Sequence, residues 1–429
     1  MLAVVRIVSR MVFGLWIFIP HMAAAWPNEM TVQYHNRAVT LSLAAVTSGA
    51  PEYTHAKLGE FVLRIEDRLL VKHLSSVELA SLDELNGYPV MPLVVLPDGV
   101  MWSLVKLSGP NEVVSLANTL PTKSGILLAE PDFLQRGVAT LQHRTNSAPF
   151  AEPKHFVRQT LQLEDWPPLA GKGVRVAVID SAFDITDSAL NLSDILLNYD
   201  THLLDTAREK QSASRTVFND PYHGNASLSL LWGNGRDSLG LAPFATPILI
   251  ERSVNWGAEV AFALQLASSA KADVVACPWT LRFTPQVVSD AVTLLTKYGR
   301  EGKGTVVVAA AGNTSFPIDN SFSFAAEPEL IVINAASSGT MWPAKSQHIG
   351  VTMPVPYLIK QQGRTISYSG TSAASIAVSG VVATLLSIGP TFTAQDIKHL
   401  LTRFSTPELN VTNLLKEVEA EIKKTTVDQ

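Results

Sequence analysis

Val174-Arg175-Val176-Ala177-Val178-Ile179-Asp180 is a run rich in β-branched residues that stops on a carboxylate. A nearly continuous apolar run of this length predicts a strand covered on both faces. Ile248–Ile250, Asp273–Ala276, Thr305–Ala310 and Leu330–Ala335 repeat the pattern. Gly257–Ala270 and Pro285–Tyr298 carry helical spacing between them. From about residue 154 the chain therefore alternates strand and helix, which predicts an α/β fold with a mainly parallel sheet between helices. Ligand sites in such sheets gather at the carboxyl ends of the strands. Asp180 and Asn313 both fall at such ends.

The 429 residues are 47% hydrophobic and 17% charged, a composition that excludes disorder and favours one large core. A formal net charge of -5, with no basic stretch interleaved with aromatics, gives no reason to expect nucleic-acid binding. A single cysteine, Cys277, excludes an intramolecular disulfide and a thiolate metal site.

The N-terminus, residues 1–25, reads as a signal peptide. Arg6 and Arg10 precede the apolar run Met11–Pro20, and Ala23-Ala24-Ala25 offers a cleavage site before Trp26. An uncleaved anchor is the other reading. The expectation is an exported protein, periplasmic or extracellular, with no stable membrane span after signal removal.

Residues 26–140 read as a small α+β unit. Phe61–Ile65 and Ile126–Leu128 are expected strands, and Val77–Leu85 has helical spacing. Met91–Leu96 and Val100–Leu107 pair across the Pro97-Asp98-Gly99 turn. Asn111–Leu120 reads as a helix capped by Asn111. A polar segment from Gln135 to Pro153 follows, with residues 141–153 as an exposed linker. The remainder, 154–429, is the α/β domain. Near its end Thr393–Thr402 and Asn413–Lys423 read as scaffold helices.

Four groups carry the chemistry, and each has a plainer reading by itself. Ser372 stands at the start of the apolar helical run Ala373–Leu386, where a serine commonly caps a helix. His223, in Tyr222-His223-Gly224, would more often be structural. Asp180 could cap a turn. Asn313, after Ala309-Ala310-Ala311-Gly312, suits a left-handed turn. Together they are a nucleophile, a base, an orienting carboxylate and an amide donor, the set that acyl transfer needs.

That order, with Gly370-Thr371-Ser372-Ala373-Ala374-Ser375 reaching to Gly380, resembles the subtilisin-like serine proteases. Gly240-Leu241-Ala242-Pro243 and Met353-Pro354 extend the resemblance over about residues 155–410. It implies a three-layer subtilisin-like fold and a peptide or protein substrate. It implies Asp180, His223 and Ser372 as the triad, and Asn313 with the Ser372 backbone N–H as the oxyanion hole. It also implies that 26–140 is a prodomain, an intramolecular inhibitor and folding aid that is later cut off.

Several positions depart from the family pattern. Ala182 replaces a usual Gly, and Ile376 a usual Pro. Ala276-Cys277-Pro278-Trp279-Thr280 lies where the family has a strand that pairs with substrate and walls its pocket. Pro278 removes a backbone donor, and Thr280 in place of Gly narrows the pocket. These changes motivate an alternative, a catalytically weak peptide-binding pseudo-protease of the same fold; an esterase is a further one. Cys277 reads as a small buried hydrophobe. No acidic cluster has a ligand spacing for calcium, so no metal or cofactor is assigned.

Overall fold

The computed structural model describes residues 26–59, 61–137, 155–163, 165–201, 223–235, 238–252, 256–315, 317–319, 321–337, 340, 341, 344, 346 and 348–427. The expected signal peptide and the 141–153 linker lie outside them.

The N-terminal unit is a seven-stranded antiparallel sheet. Its strands are β1 (Glu29–Tyr34), β2 (Arg37–Thr47), β3 (Ala50–Thr54), β4 (Phe61–Leu74), β5 (Val90–Val95), β6 (Val100–Lys106) and β7 (Ile126–Gly137), with helix α1 (Pro110–Thr119) before β7. Strands β5 and β6 pair antiparallel about Pro97-Asp98-Gly99, as expected. Three local expectations change. Val77–Leu85 forms two 3₁₀ turns, Leu79–Ser81 and Asp83–Leu85, because so short a run rarely meets the cost of nucleating an α-helix. Helix α1 is capped at Gly109 rather than Asn111, since Pro110 takes the first helical position, where its missing N–H costs nothing. Strand β7 runs twelve residues and takes Gln135, which the sequence alone places in a polar segment.

The second sheet is eight-stranded and mainly parallel. It contains β8 (Arg175–Asp180), β9 (Leu197–Asp200), β10 (Thr246–Glu251), β11 (Val274–Cys277), β12 (Val306–Ala310), β13 (Ile331–Ser337), β14 (Thr340–Met341) and β15 (Ile349–Pro354), in the order β14-β13-β12-β11-β8-β10-β9 with β15 on β13. A separate hairpin, β16 (Tyr357–Gln361) and β17 (Arg364–Tyr368), follows. The longer helices are α2 (His223–Trp232), α3 (Gly257–Ser269), α4 (Gln286–Thr293), α5 (Gly370–Ile388), α6 (Ala394–Arg403) and α7 (Val411–Val427). The expected helix Pro285–Tyr298 is thus α4 followed by a π turn at Leu294–Tyr298.

Alternation along the central strands builds two cores. Val176, Val178, Val274, Ala276, Val306 and Val308 face α2 and α5. Ala177, Ile179, Val275, Cys277, Val307 and Ala309 face α3 and α4. Each strand therefore needs apolar residues at every position, which is why the runs lack polar alternation. Helix α5 is apolar all round because it lies inside, with Ala373 to Leu386 buried throughout.

The N-terminal unit lies on α3 and α4. Leu70, Leu93, Val94, Trp102 and Leu104 join the core on that face of the sheet.

Candidate active site

Strand β8 delivers Asp180 to the carboxyl edge of the sheet, where the side chain is fully buried. A carboxylate there requires donors. Oδ1 accepts from the Ser181 N–H at 2.7 Å and faces His223 Nδ1 at 2.7 Å. Oδ2 accepts from Ser227 Oγ at 2.6 Å. His223 is the first residue of α2. That helix is stitched to the loop after β8: the Gly224 N–H donates to Ser181 Oγ at 3.0 Å, and Asn225 Oδ1 accepts the Asp184 N–H at 2.6 Å. Gly224 is required by close approach, since a Cβ there would lie 2.5 Å from the Ser181 carbonyl oxygen and 2.6 Å from that of Ala182.

The serine segment is positioned from the neighbouring strands. Ser372 is in the first turn of α5, and its Oγ donates to the Pro278 carbonyl, just past β11, at 2.7 Å. Asn313 follows β12 after Gly312, whose φ of 95° only glycine adopts readily. Asn313 Oδ1 accepts from the Thr371 N–H at 3.0 Å and from Thr371 Oγ at 2.9 Å. Its oxygen is thereby committed, which leaves the amide N–H groups as the end it offers. A Cβ on Gly370 would stand 3.1–3.2 Å from this amide, so glycine lets it approach. Tyr368 links the two halves of the site. Its hydroxyl is 3.0 Å from Ser227 Oγ, and its ring stands edge-on to the His223 imidazole at a 5.6 Å centroid distance. Sequence reasoning singles out neither Ser227 nor Tyr368; the only local signal is that Ser227 lies one helical turn beyond His223.

The expected pocket wall divides. Ala276 and Cys277 are strand residues in the two cores, 0% exposed, so neither side chain faces a cleft. Burial pushes the Cys277 thiol well above its usual pKa, consistent with an inert sulfur. Trp279 is also in the core: Nε1 donates to the Ile179 carbonyl at 2.6 Å, one ring face stacks on Phe324, and the Arg252 guanidinium lies 4.2 Å from the ring centre. Strand alternation and a bulky indole send these three side chains inward, so any contact they make with a peptide is through their backbone. Pro278 contributes its carbonyl, and Thr280, half-buried, sits with Cγ2 3.5 Å from where a Cβ on Gly312 would be.

Arg252 is a third residue that sequence reasoning misses. Its backbone N–H donates to the Asp180 carbonyl at 2.7 Å, and burial lowers the guanidinium to about 10 despite the nearby charges of Glu259 and Asp180. Glu259 also lies 3.8 Å from Arg68 of the N-terminal unit. Asp132 of β7 pairs with Arg68 at 3.0 Å and accepts the Ala258 N–H at 3.0 Å, capping α3 from outside. Gln135 Oε1 accepts the Arg282 and Phe283 N–H groups, so the end of β7 arrives just beyond Thr280. Among the described residues no three His, Cys, Asp or Glu side chains are grouped to hold a metal ion.

Residues 171–418, more than half of the chain, match the subtilase family. The chain belongs to the subtilase family. A curated relative is a calcium-dependent protease of Nostoc sp., 25% identical over 286 residues. The match takes in 56% of this chain but only 42% of that protein, so this subtilase spans less than half of its relative's length. Fervidolysin from Fervidobacterium pennivorans, a keratinolytic enzyme related to subtilisin, superposes with a TM-score of 0.58 at 18% identity, covering 84% of this chain and 58% of fervidolysin. The protease domain of PatA gives a TM-score of 0.49 at 22% identity, covering 60% of this chain and 99% of that domain. The family match and the fervidolysin likeness establish the three-layer α/β fold.

Proposed function

We propose that this subtilase is a serine endopeptidase made as an exported precursor, with Asp180, His223 and Ser372 as its triad. The observation that carries the reading is the 2.7 Å contact between Asp180 Oδ1 and His223 Nδ1, at the carboxyl edge of the sheet where Ser372 and Asn313 also stand. His223 Nε2 takes the Ser372 hydroxyl proton as Oγ leaves the Pro278 carbonyl and attacks a peptide carbonyl. Asp180 holds the ring and balances the imidazolium. The Asn313 amide and the Ser372 N–H stabilise the oxyanion. The imidazolium returns its proton to the leaving amine, and water then hydrolyses the acyl-enzyme.

The Thr280 methyl beside Gly312 supports a preference for a small side chain before the cut. The N-terminal unit acts as the prodomain, docked on α3 and α4 with Asp132 on the α3 N-terminus. The name of the Nostoc relative carries calcium dependence, and among the described residues of this chain no three His, Cys, Asp or Glu side chains are grouped to hold an ion.

A serine-directed phosphonate probe tests the reading. Labelling is expected on Ser372 by peptide mapping, and none in Ser372→Ala, which should also accumulate as uncut precursor. A mature parent that binds peptides but never labels at Ser372 is instead the pseudo-protease. A normally processed Ser372→Ala chain rules out self-cleavage.

A further inference from the structure

The second oxygen of Asp180 is held by a hydroxyl that the reaction above does not use, and that hydroxyl meets another. Ser227 Oγ stands 2.6 Å from Oδ2, and Tyr368 OH stands 3.0 Å from Ser227 Oγ. The proton directions follow from chemistry. An ionised carboxylate only accepts, so the single Ser227 proton points to Oδ2. Ser227 then has none for Tyr368, and the tyrosine must supply the proton of the 3.0 Å contact. The result is a directed chain, Tyr368 O–H to Ser227 O–H to Asp180, through side chains that are almost fully buried.

We propose that Ser227 and Tyr368 are positioning residues, a hydroxyl relay that holds the Asp180 carboxylate against His223 Nδ1 and moderates the charge that His223 experiences. The inference rests on the triad reading above. Three elements meet in it. Ser227 lies one turn along α2 from His223, on the same face, and Asp180 ends β8. Tyr368 ends β17, four residues before Ser372, with its ring edge-on to the imidazole at 87°. The hairpin β16–β17 therefore places one side chain against both the acid–base pair and the serine segment. With Oδ1 bound to Ser181 and His223 and Oδ2 bound to Ser227, the carboxylate cannot rotate without breaking a charge-assisted bond. Among the described residues, Arg252, after β10, and Cys277, on β11, also interact electrostatically with Asp180. Arg252 remains a cation and Cys277 a neutral thiol across the neutral range.

Removing a donor from Oδ2 leaves more negative charge facing the ring, which favours imidazolium and moves the His223 titration midpoint up. The test is an NMR titration of ¹⁵N-histidine-labelled full-length chain carrying Ser372→Ala, which needs no turnover. Ser227→Ala should raise the His223 midpoint by about 0.5–1 pH unit, and Tyr368→Phe by less in the same direction. The double variant should match Ser227→Ala alone, because Tyr368 acts through Ser227. With Ser372 intact, Ser227→Ala should lower kcat about tenfold and leave KM unchanged. An unmoved midpoint in Ser227→Ala, or shifts that add in the double variant, overturns the relay. If Ser227→Ala does not fold, Tyr368→Phe decides alone: an unmoved midpoint overturns the relay. A parent without turnover would sink the peptidase reading, while the titration would still judge the relay.

Discussion

Replacing Gly224 by Ala tests whether local backbone approach sets the catalytic geometry. The added Cβ would meet two carbonyl oxygens, Ser181 O at 2.5 Å and Ala182 O at 2.6 Å, with Phe183 at 3.0 Å. Both oxygens belong to backbone, so no side chain can swing aside. Real Cβ atoms keep at least 3.0 Å, so the start of α2 must retreat by about 0.5 Å, the difference from 2.5 Å. His223 is the adjacent residue and moves with it. Its 2.7 Å contact with Asp180 then stretches toward the limit of a hydrogen bond, about 3.2 Å. Overpacking of this kind costs about 1–3 kcal/mol of stability. Misplacement of the base should lower kcat/KM about 10- to 100-fold, mostly in kcat, since no substrate contact is touched. The assay is hydrolysis of a chromogenic peptide alongside thermal unfolding. A Gly224→Ala chain with activity within twofold of the parent and an unchanged Tm would show that the close approach does not hold His223 in place.

Asn313→Ala should slow turnover about 100- to 1000-fold with little change in KM, a magnitude taken from subtilisin's own oxyanion asparagine rather than worked from this structure; a rate within threefold of the parent removes Asn313 from that role. Glu130, buried on β7 against the start of α4, is pushed up to about 8 by burial, with its Oε2 accepting the Gln33 N–H. Between the ordinary carboxylate range and about 8 the folded chain holds a proton that the unfolded chain has lost, so stability falls as pH rises through that window. The loss is at most about 1.4 kcal/mol per pH unit, and Glu130→Gln should flatten it in denaturant melts at about pH 5 and pH 8; an equally steep dependence in the variant refutes the assignment. Cys277, 0% exposed with its thiol pushed up by burial, should resist iodoacetamide in the native chain and react once unfolded. Rapid native modification would show that β11 is open to solvent.

Local patterns in the chain were enough to read the layered sheet and the four chemical groups. Strands β8, β11 and β12 are covered on both faces, so nearly every residue in them had to be apolar, and that pattern is visible in a short window. Asp180, His223, Asn313 and Ser372 each stand at an element boundary, His223 and Asn313 beside a glycine and Ser372 two residues after one, and that too is read from adjacent residues. What the polar residues elsewhere do came only from the folded arrangement. Gln135 looks like the start of a linker, yet it is buried against the backbone of Phe283, 148 residues away. Asp132 caps a helix 126 residues on, and Ser227 and Tyr368 join across 141. The hairpin that carries Tyr368 is missing from the sequence reading, although Gln362-Gly363 in the left-handed region is its turn. Cys277 reads as a small buried hydrophobe and is one, but that Ala276 and Trp279 also turn their side chains into the core is decided by the packing around them. The cause is the same in each case: whether a polar group is solvated or paired, and whether an apolar one is wall or core, depends on partners brought from distant parts of the chain, which no local window contains.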